Sequence, residues 1–183
     1  KEVYGEVGID MLAGPSEIMI VADESADPAY VAADLLSQAE HDVLARAIVV
    51  TTSRALAERT AEETERQLAR LPRREVAERS LAASGGIIVA DTLEQACELV
   101  NEVAPEHLEL YVRDPRSLLP RITSAGAVFL GGYTPEPVGD YFAGPDHILP
   151  TSGSAKFFQV LNEDVFTRKM SVISYTKEAL FED

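Results

Sequence analysis

The sequence predicts an α/β domain in which a mainly parallel sheet lies between two layers of helices. Short apolar runs rich in β-branched residues alternate with segments that have the period of about 3.6 residues typical of amphipathic helices. Turn-forming residues, chiefly Gly, Pro, Asp and Ser, separate these segments. A chain of 183 residues that is 46% hydrophobic is long enough for one such domain with a filled core. We therefore expect a single three-layer α/β domain over residues 1–183.

Five apolar runs are expected to form the strands of the sheet. They are residues 18–22, 47–51, 86–90, 108–112 and 127–130. Residues 1–12 are expected to contain a further short strand, and residues 157–160 and 172–175 also have extended character. Parallel strands joined through helices are buried on both faces, which agrees with these nearly continuous apolar runs.

Helix starts are predicted where a capping side chain or a proline precedes an amphipathic segment. The expected helices cover residues 28 to about 44, 54 to about 71, 75–83, 92–104, a short stretch from 115, and 177–180. Asp27-Pro28 supplies a capping carboxylate followed by proline at the first helical position. Asp91 is followed three residues later by Glu94, which is the spacing of a capping box, so Asp91 is the expected cap of its helix.

The charge balance argues against two kinds of partner. The chain has 16 basic and 31 acidic residues, and this net charge of −15 disfavours binding to nucleic acid or to an anionic membrane. Solubility is the simpler explanation of the charge. No apolar run approaches the ~18 residues of a membrane span. Cys97 is the sole cysteine, so no internal disulfide can form, and we expect a reducing, cytoplasmic location.

The longest segment without apolar periodicity is residues 131–153, GGYTPEPVGDYFAGPDHILPTSG. A loop of this length in a compact domain is usually functional. It contains Asp140 and His147, and the other two histidines, His41 and His107, each directly follow an acidic residue. We expect this loop and the two other histidine segments to meet at one site.

Gln38 and His41 are three residues apart in the first predicted helix, so their side chains would project from one face about one turn apart. Two such side chains can hold one cation, and imidazole suits zinc. Together with Asp140 they suggest a zinc site. The alternative is that His41, which lies between Glu40 and Asp42, is a solvated surface residue.

Glu106-His107 follows Pro105 at a predicted helix-to-strand junction, where side chains are held firmly. A carboxyl group and an imidazole together can act as general base and acid near neutral pH. The alternative for His107 is a helix-terminal histidine that faces the helix dipole. Asp140 follows a glycine, which is a common turn sequence, and the context of His147 is the least specific of the set.

Several catalytic motifs are absent from the sequence. It has no G-x-G-x-x-G, no H-E-x-x-H and no paired C-x-x-C, and Gly14-Pro15-Ser16 lacks the flanks of a nucleophile elbow. Ligands of parallel sheets gather at the carboxyl ends of the strands, but Ser16 and Glu106-His107 precede strands. We therefore expect the site at the opposite edge of the sheet or at an interface with another domain.

Four segments of the chain resemble the histidinol dehydrogenase family, in the family's order. They are Gly14-Pro15-Ser16-Glu17, Gln38-Ala39-Glu40-His41-Asp42, Val103-Ala104-Pro105-Glu106-His107-Leu108-Glu109 and Gly139-Asp140-Tyr141-Phe142-Ala143-Gly144-Pro145-Asp146-His147. The resemblance covers the whole chain and corresponds to the latter half of the family's chain without its extreme C-terminus. It implies an incomplete Rossmann-like sheet, a homodimer, and an oxidoreductase of histidine biosynthesis. That enzyme uses NAD and zinc to oxidise L-histidinol through the aldehyde to L-histidine.

The resemblance also implies a role for each candidate residue. The positions that match the family's zinc ligands are Gln38, His41 and Asp140. Glu106 and His107 match its acid–base pair: His107 would take the alcohol proton, and Glu106 would activate the water that attacks the aldehyde. Ser16, the zinc ligands and His107 match positions that contact the substrate, while His147 would order the loop or support the site from outside.

The same resemblance implies that parts of the enzyme lie elsewhere. The family's fourth zinc ligand is a histidine near its C-terminus, supplied by the partner subunit, and its NAD-contacting residues precede this segment. No residue of this chain is therefore assigned to NAD. We expect a fragment of a longer chain that folds alone, leaves the loop of residues 131–153 mobile, and does not turn over histidinol by itself.

Two other classes of function remain open at this point. The first is a non-catalytic folded module or assembly partner, which zinc content and independent folding would distinguish from the enzyme. The second is a zinc hydrolase that uses Glu106 as its base, which would be recognised by hydrolytic turnover without NAD.

Overall fold

The sheet has the predicted parallel arrangement. The computed structural model describes residues 2–3 and 5–182, without the side chain of Glu182. Within these residues one five-stranded sheet forms, and every neighbouring pair of its strands is parallel. The strands are β1 Glu17–Ala22, β2 Arg46–Thr51, β3 Gly86–Val89, β4 His107–Tyr111 and β5 Ala127–Leu130. The α/β fold class predicted from the sequence is confirmed.

The strand order places a topological switch point in the middle of the sheet. The order is β3-β2-β1-β4-β5, so the chain winds outward in one direction from β1 and in the other direction from β4. This is the order of the first five strands of a Rossmann sheet, which usually has six. The observed sheet is thus Rossmann-like and incomplete within the part of the chain that the structure describes.

Helices cover both faces of the sheet. They are α1 Pro28–Ala39, α2 Arg54–Leu68, α3 Arg74–Ser84, α4 Leu93–Val103, α5 Pro115–Leu118, α6 Glu136–Val138 and α7 Lys177–Glu182. Short 3-10 turns occur at Leu119–Arg121, Ser154–Lys156 and Glu163–Phe166, and Gly139–Ala143 forms a π-helical turn.

Two apolar clusters make the three layers. On one face, Ile18 and Ile20 of β1 pack with Val49 of β2 against Leu35 of α1 and Leu56 of α2. On the other face, residues of β1 and β4 pack against α4 and α5; they are Met19, Val21, Leu108, Leu110, Ala96, Cys97, Val100 and Leu118. Full burial of a Val, Leu or Ile side chain stabilises the fold by roughly 1.5–3 kcal/mol. The alternation of side chains along β1 therefore holds both helical layers to the sheet.

Several predicted helix starts are correct at the level of single hydrogen bonds. Asp27 accepts a hydrogen bond from the backbone N–H of Ala29 at 2.8 Å, and Pro28 occupies the first helical position. The hydroxyl of Ser53 accepts from the N–H of Leu56 at 3.2 Å. The N-terminal cap of α4 lies one residue later than predicted. Thr92, not Asp91, accepts from the N–H of Gln95.

The predicted end of α1 was wrong, and the error matters for the site. The helix ends at Ala39 rather than near Leu44. The carboxylate of Asp42 accepts a hydrogen bond from the N–H of Leu44 at 2.8 Å, and the N–H of His41 donates to the carbonyl of Gln38 at 3.1 Å. These local bonds turn the chain toward β2. His41 therefore lies beyond the helix and does not share a helical face with Gln38.

Three further segments form no strand. In residues 1–12 the described part consists of turns, an isolated β-bridge residue at Val7 and irregular backbone, and Lys1 and Tyr4 lie outside the described residues. Residues 157–160 and 172–175 pair with no strand of the described sheet. Their apolar side chains are largely exposed, as at Phe157, Val172 and Ile173. Apolar, β-branched composition alone was an insufficient basis for these three predictions. No helix among the described residues is long and apolar enough to span a membrane.

Candidate active site

The predicted catalytic pair lies at the amino edge of the sheet, beside the switch point. His107 is the first residue of β4, and its partner in β1 is Ile18, the residue after Glu17. The loop after β5 reaches this edge because it runs back along β5. Gly139 packs on the ring of Phe129, and Leu149 contacts Gly126, which precedes that strand. Of the two locations that the sequence left open, the edge opposite the usual one is where these side chains lie.

Burial and one backbone contact determine the state of the His107 ring. Its Nδ1 atom lies 2.9 Å from the carbonyl oxygen of Glu17. A carbonyl can only accept, so Nδ1 carries the proton and Nε2 of the neutral ring has a free lone pair. Burial lowers the pKa of His107, against the raising effects of the Glu17 contact and the Asp140 charge. The ring is therefore neutral at pH 7, and Nε2 has no hydrogen-bond partner among the described residues.

Two carboxyl groups face this free nitrogen. His107 Nε2 is 3.8 Å from Glu136 Oε1 and 3.9 Å from Asp140 Oδ1. One ligand atom from each of the three residues lies within 4.8 Å of the others, so the group could hold a cation. Burial, then a hydrogen bond to Asp140 and nearby carboxylate charges, together raise the pKa of Glu136 to about 8. Without a cation, Glu136 is thus the protonated member that donates to Asp140.

Glu106 has the properties of a proton carrier near neutral pH. Its Oε2 atom accepts a hydrogen bond from the backbone N–H of Glu17 at 2.9 Å and lies 3.6 Å from His107 Nδ1. The pKa of Glu106 is raised to about 7, chiefly by burial; the hydrogen bond from the Glu17 N–H lowers it, and the charges of Glu17 and Asp140 raise it. A carboxyl group with this pKa can accept and release a proton at physiological pH.

The other candidates from the sequence differ in exposure. Gln38 is buried, and its Oε1 atom has no hydrogen-bond partner in the described part of the chain. His41 and His147 are exposed, yet both are close enough to His107 for their charges to lower its pKa. Ser16 is half-buried, and its carbonyl accepts from the N–H of Arg46 at 3.0 Å.

The topology places Gln38 close to the level of His107. Asp34, one turn earlier on α1, shares a hydrogen bond with the carboxyl group of Glu109. Because α1 runs antiparallel to the strands, Gln38 lies about 5–6 Å from Asp34 toward the amino edge. His107 lies two residues from Glu109, about 6–7 Å, in the same direction. The helix and the strand therefore carry these two side chains to the same edge of the domain.

Sequence reasoning missed four acidic residues that surround the site. They are Glu17, Asp34, Glu109 and Glu136. Burial raises the pKa of Asp34 to about 6, and burial together with the Asp34 charge raises that of Glu109 well above its usual range, so the pair shares a proton. A lone carboxyl group in a buried apolar strand was the available signal for Glu17 and Glu109. The only sequence signal for Glu136 was its position four residues before Asp140.

An apolar cavity of about 310 Å³ adjoins these groups. Its walls include Ala127 and Phe129 of β5 and Val138 and Leu149 of the loop, and Asp140 and His147 line it as well. A concave apolar wall with a few convergent polar groups is the usual form of a small-molecule site.

The strand order and the histidine–carboxylate site define a Rossmann-like α/β domain whose polar site is at the amino edge of the sheet. The chain belongs to the histidinol dehydrogenase family, because the family model of that description matches residues 1–182. The resemblance stated from the sequence is thereby confirmed.

Individual relatives agree with this assignment. The chain is 58% identical to a histidinol dehydrogenase of Halalkalibacterium halodurans over 183 residues, all of this chain and 43% of the relative. It is 56% identical to one of Listeria monocytogenes serotype 4b over 180 residues, 98% of this chain and 42% of the relative. The crystal structure of histidinol dehydrogenase from Elizabethkingia anophelis matches with a TM-score of 0.89 and 42% identity. That match covers 96% of this chain and 40% of the other. The chain thus spans about 42% of the length of the curated relatives.

Proposed function

We propose that this chain supplies the catalytic and substrate-binding part of a histidinol dehydrogenase, which oxidises L-histidinol to L-histidine in two NAD-dependent steps. One observation carries the proposal. His107 presents a buried, unprotonated Nε2 with no partner among the described residues, directly beside Glu106, whose pKa is about 7. An alcohol oxidation needs a base of this kind, and the following hydration of an aldehyde needs a second one.

The two residues divide the proton transfers between them. His107 Nε2 accepts the hydroxyl proton of histidinol as the carbinol carbon loses a hydride, which gives the aldehyde. Glu106 takes a proton from the water that adds to the aldehyde and returns it to the aldehyde oxygen, which gives the hydrate. His107 then accepts a hydroxyl proton of the hydrate as the second hydride is lost, which gives the carboxylic acid. Bound NAD⁺ would supply the hydride acceptor for each oxidation. We assign no residue of this chain to NAD and expect the remainder of the family's chain to bind it.

Zinc is proposed to bind Gln38, His41 and Asp140. The amide oxygen of Gln38 is buried without a partner among the described residues, and such an atom fits an oxygen ligand. The carboxylate of Asp140 and the imidazole of His41 complete a donor set that zinc accepts. Bound zinc would orient the imidazole and amine of histidinol. Ser16 and His107 are proposed as further substrate contacts.

The acidic surroundings support a cationic substrate. Histidinol carries an ammonium group, and Asp140, Glu136 and Glu106 lie on the same side of the domain as His107. A bound cation would favour the ionised forms of Glu106 and Glu136, whose pKa values are raised chiefly by burial. The proposed complete enzyme is a cytoplasmic homodimer, in line with the family resemblance.

Calorimetric titration of the chain with histidinol, with and without zinc, tests this function. We expect zinc to strengthen histidinol binding, and Asp140→Asn to remove that effect. A matched control is Asp146→Asn, which changes an exposed carboxylate of the same loop whose hydrogen bond to the N–H of Ile148 is local. Absence of histidinol binding under every condition would instead favour the non-catalytic module.

A further inference from the structure

Two buried glutamates contact the opposite ends of the loop that carries Asp140. We call residues 131–153 the site loop. Glu109 on β4 accepts a hydrogen bond from the backbone N–H of Glu136, near the start of the site loop, at 3.0 Å. Glu17 on β1 accepts one from the N–H of Ser152, near its end, at 3.1 Å. We propose that Glu109 and Glu17 are positioning residues that clamp the site loop to the sheet and so hold Asp140 beside His107 before any ligand binds.

The first clamp joins three elements of the site. Glu109 is only 4% exposed, and it lies two residues after His107 on the same strand. Its carboxyl group also shares a hydrogen bond with Asp34 on α1, the helix that carries Gln38 one turn later. A buried carboxyl group destabilises the fold unless it is hydrogen-bonded, and these two partners provide the bonds. Strand, helix and loop are thereby fixed relative to one another at a single side chain.

The second clamp closes the other end of the site loop. Glu17 is 2% exposed, and its second oxygen pairs with Arg46 at 3.2 Å. Next to Ser152, the hydroxyl of Thr151 accepts from the N–H of Gly14 at 2.6 Å. Ser152 has a φ of 56°, which is unfavourable for a residue other than glycine. Such a conformation persists only where its surroundings enforce it, and the contact with Glu17 contributes to that.

Between the clamps the site loop is open to solvent. Tyr141 is 80% exposed and Phe142 89% exposed, and residues 141–148 are exposed throughout. Asp140 lies between the first clamp and this exposed part, four residues after Glu136. The mobility expected from the sequence would then be confined to residues 141–148, and Asp140 would stay positioned.

Four substitutions separate a clamp from a merely buried side chain. Glu109→Leu removes the acceptor at similar volume, whereas Glu109→Gln keeps an oxygen for the Glu136 N–H and an N–H for Asp34. Glu17→Leu removes the second clamp, and its control is Arg46→Met, which removes the ion pair but leaves the acceptor for Ser152. A role in general stability would lower the melting temperature. It would not release one amide selectively, nor be rescued by glutamine.

Amide-resolved hydrogen exchange by NMR on the metal-free chain tests the proposal. In the unsubstituted chain, the amides of Glu136 and Ser152 should exchange at least about tenfold more slowly than those of residues 141–148. Glu109→Leu should speed exchange at Glu136 by about tenfold or more, and Glu109→Gln should not. Glu17→Leu should do the same at Ser152, and Arg46→Met should not. Equal exchange of Glu136, Ser152 and residues 141–148 in the unsubstituted chain overturns the proposal, even if a leucine variant fails to fold.

A second measurement follows Co²⁺ binding by its visible absorption, and this part rests on the proposed metal site. Loss of a supporting contact typically weakens metal binding by about 10–100-fold. We expect a loss of that order in Glu109→Leu and in Glu17→Leu, with little loss in the two control variants. If the unsubstituted chain binds no Co²⁺, the proposed metal site fails, and the exchange measurement still decides the clamps. If Co²⁺ binds all five proteins equally, the clamps do not position Asp140.

Discussion

The Nδ1 atom of His107 lies 2.9 Å from the carbonyl oxygen of Glu17, and this contact directs the free lone pair of Nε2 toward Glu136 and Asp140. A backbone carbonyl cannot be removed by substitution of a side chain, so the tautomer of the ring depends on the pairing of β1 with β4. The tautomer that the proposed base requires is thus set by the sheet itself.

Replacement of His107 by Asn should slow both oxidations in the proposed complete enzyme. Asparagine can still donate to the Glu17 carbonyl but offers no basic nitrogen, and a positioned base contributes roughly 10²–10⁴-fold. Rapid-mixing measurement of NADH formation from histidinol and from the aldehyde checks both steps. Retention of full rate in either one would remove His107 from that step.

Replacement of Glu106 by Gln should chiefly slow the oxidation of the aldehyde. Glutamine can still accept from the Glu17 N–H but cannot take a proton from water, so only the hydration step loses its base. The two oxidations are compared with separate substrates. An equal loss in alcohol oxidation would show that the two residues do not divide the proton transfers as proposed.

Zinc binding to the chain should be weak and reversible by chelators, because three protein ligands leave one position of a four-coordinate site to other groups. His41→Ala should weaken it, whereas Glu136→Gln should not. If Glu136→Gln instead weakens zinc binding and His41→Ala leaves it unchanged, the metal binds in the group of His107, Glu136 and Asp140. Equilibrium dialysis with metal analysis distinguishes the two sets.

The free energy of unfolding of the metal-free chain should fall as pH rises from about 6.5 to 8.5. The pKa of Glu136 is raised to about 8 and that of Glu106 to about 7, so in this window the folded state binds more protons than the unfolded state. His107, whose pKa is lowered, acts in the opposite direction, and its effect fades as the pH rises above about 6.5. Urea denaturation at several pH values measures the slope. Glu136→Gln should make it shallower, and a slope that is flat or rising in the unsubstituted chain would contradict the assignment.

Gly139→Ala should weaken metal binding without changing any ligand. A Cβ atom at Gly139 would lie 2.6 Å from Cε1 of Phe129, so either the ring or the backbone next to Asp140 must move. The control is Gly86→Ala in the edge strand β3, where an added Cβ meets nothing within 4 Å. Co²⁺ affinity should fall in the first variant and stay unchanged in the second. Equal affinities would show that the close packing of Gly139 does not position Asp140.

The strands were predictable because their signal is local. Each lies within one residue of a predicted apolar run, since burial on both faces of a parallel sheet requires nearly continuous apolar sequence. The end of α1 was not predictable from periodicity. Val43 continues the apolar pattern, yet the helix ends at Ala39. The hydrogen bond from the Leu44 N–H to the Asp42 side chain belongs to the turn that follows the helix.

The candidate site was predictable only in part. Glu106, His107 and Asp140 stood out by residue type and spacing, and the structure brings them together. Glu136 did not stand out, because its burial depends on how the loop after β5 folds back against β4. Contacts between segments more than a hundred residues apart, such as Glu17 with Ser152, leave no local pattern in a single sequence.

The sheet order has a consequence for the opposite edge of the domain. At the carboxyl ends of β1 and β4, where a Rossmann sheet normally receives a dinucleotide, Asp23 accepts hydrogen bonds from the N–H and hydroxyl of Ser25 and from the N–H of Arg113. One carboxylate thus bridges the crevice by joining the segments that leave the two strands. Opening this edge to a phosphate would mean breaking those bonds and placing like charges together. The two edges of this sheet therefore differ: the carboxyl edge is closed by the hydrogen bonds of Asp23, and the amino edge carries the proposed active site.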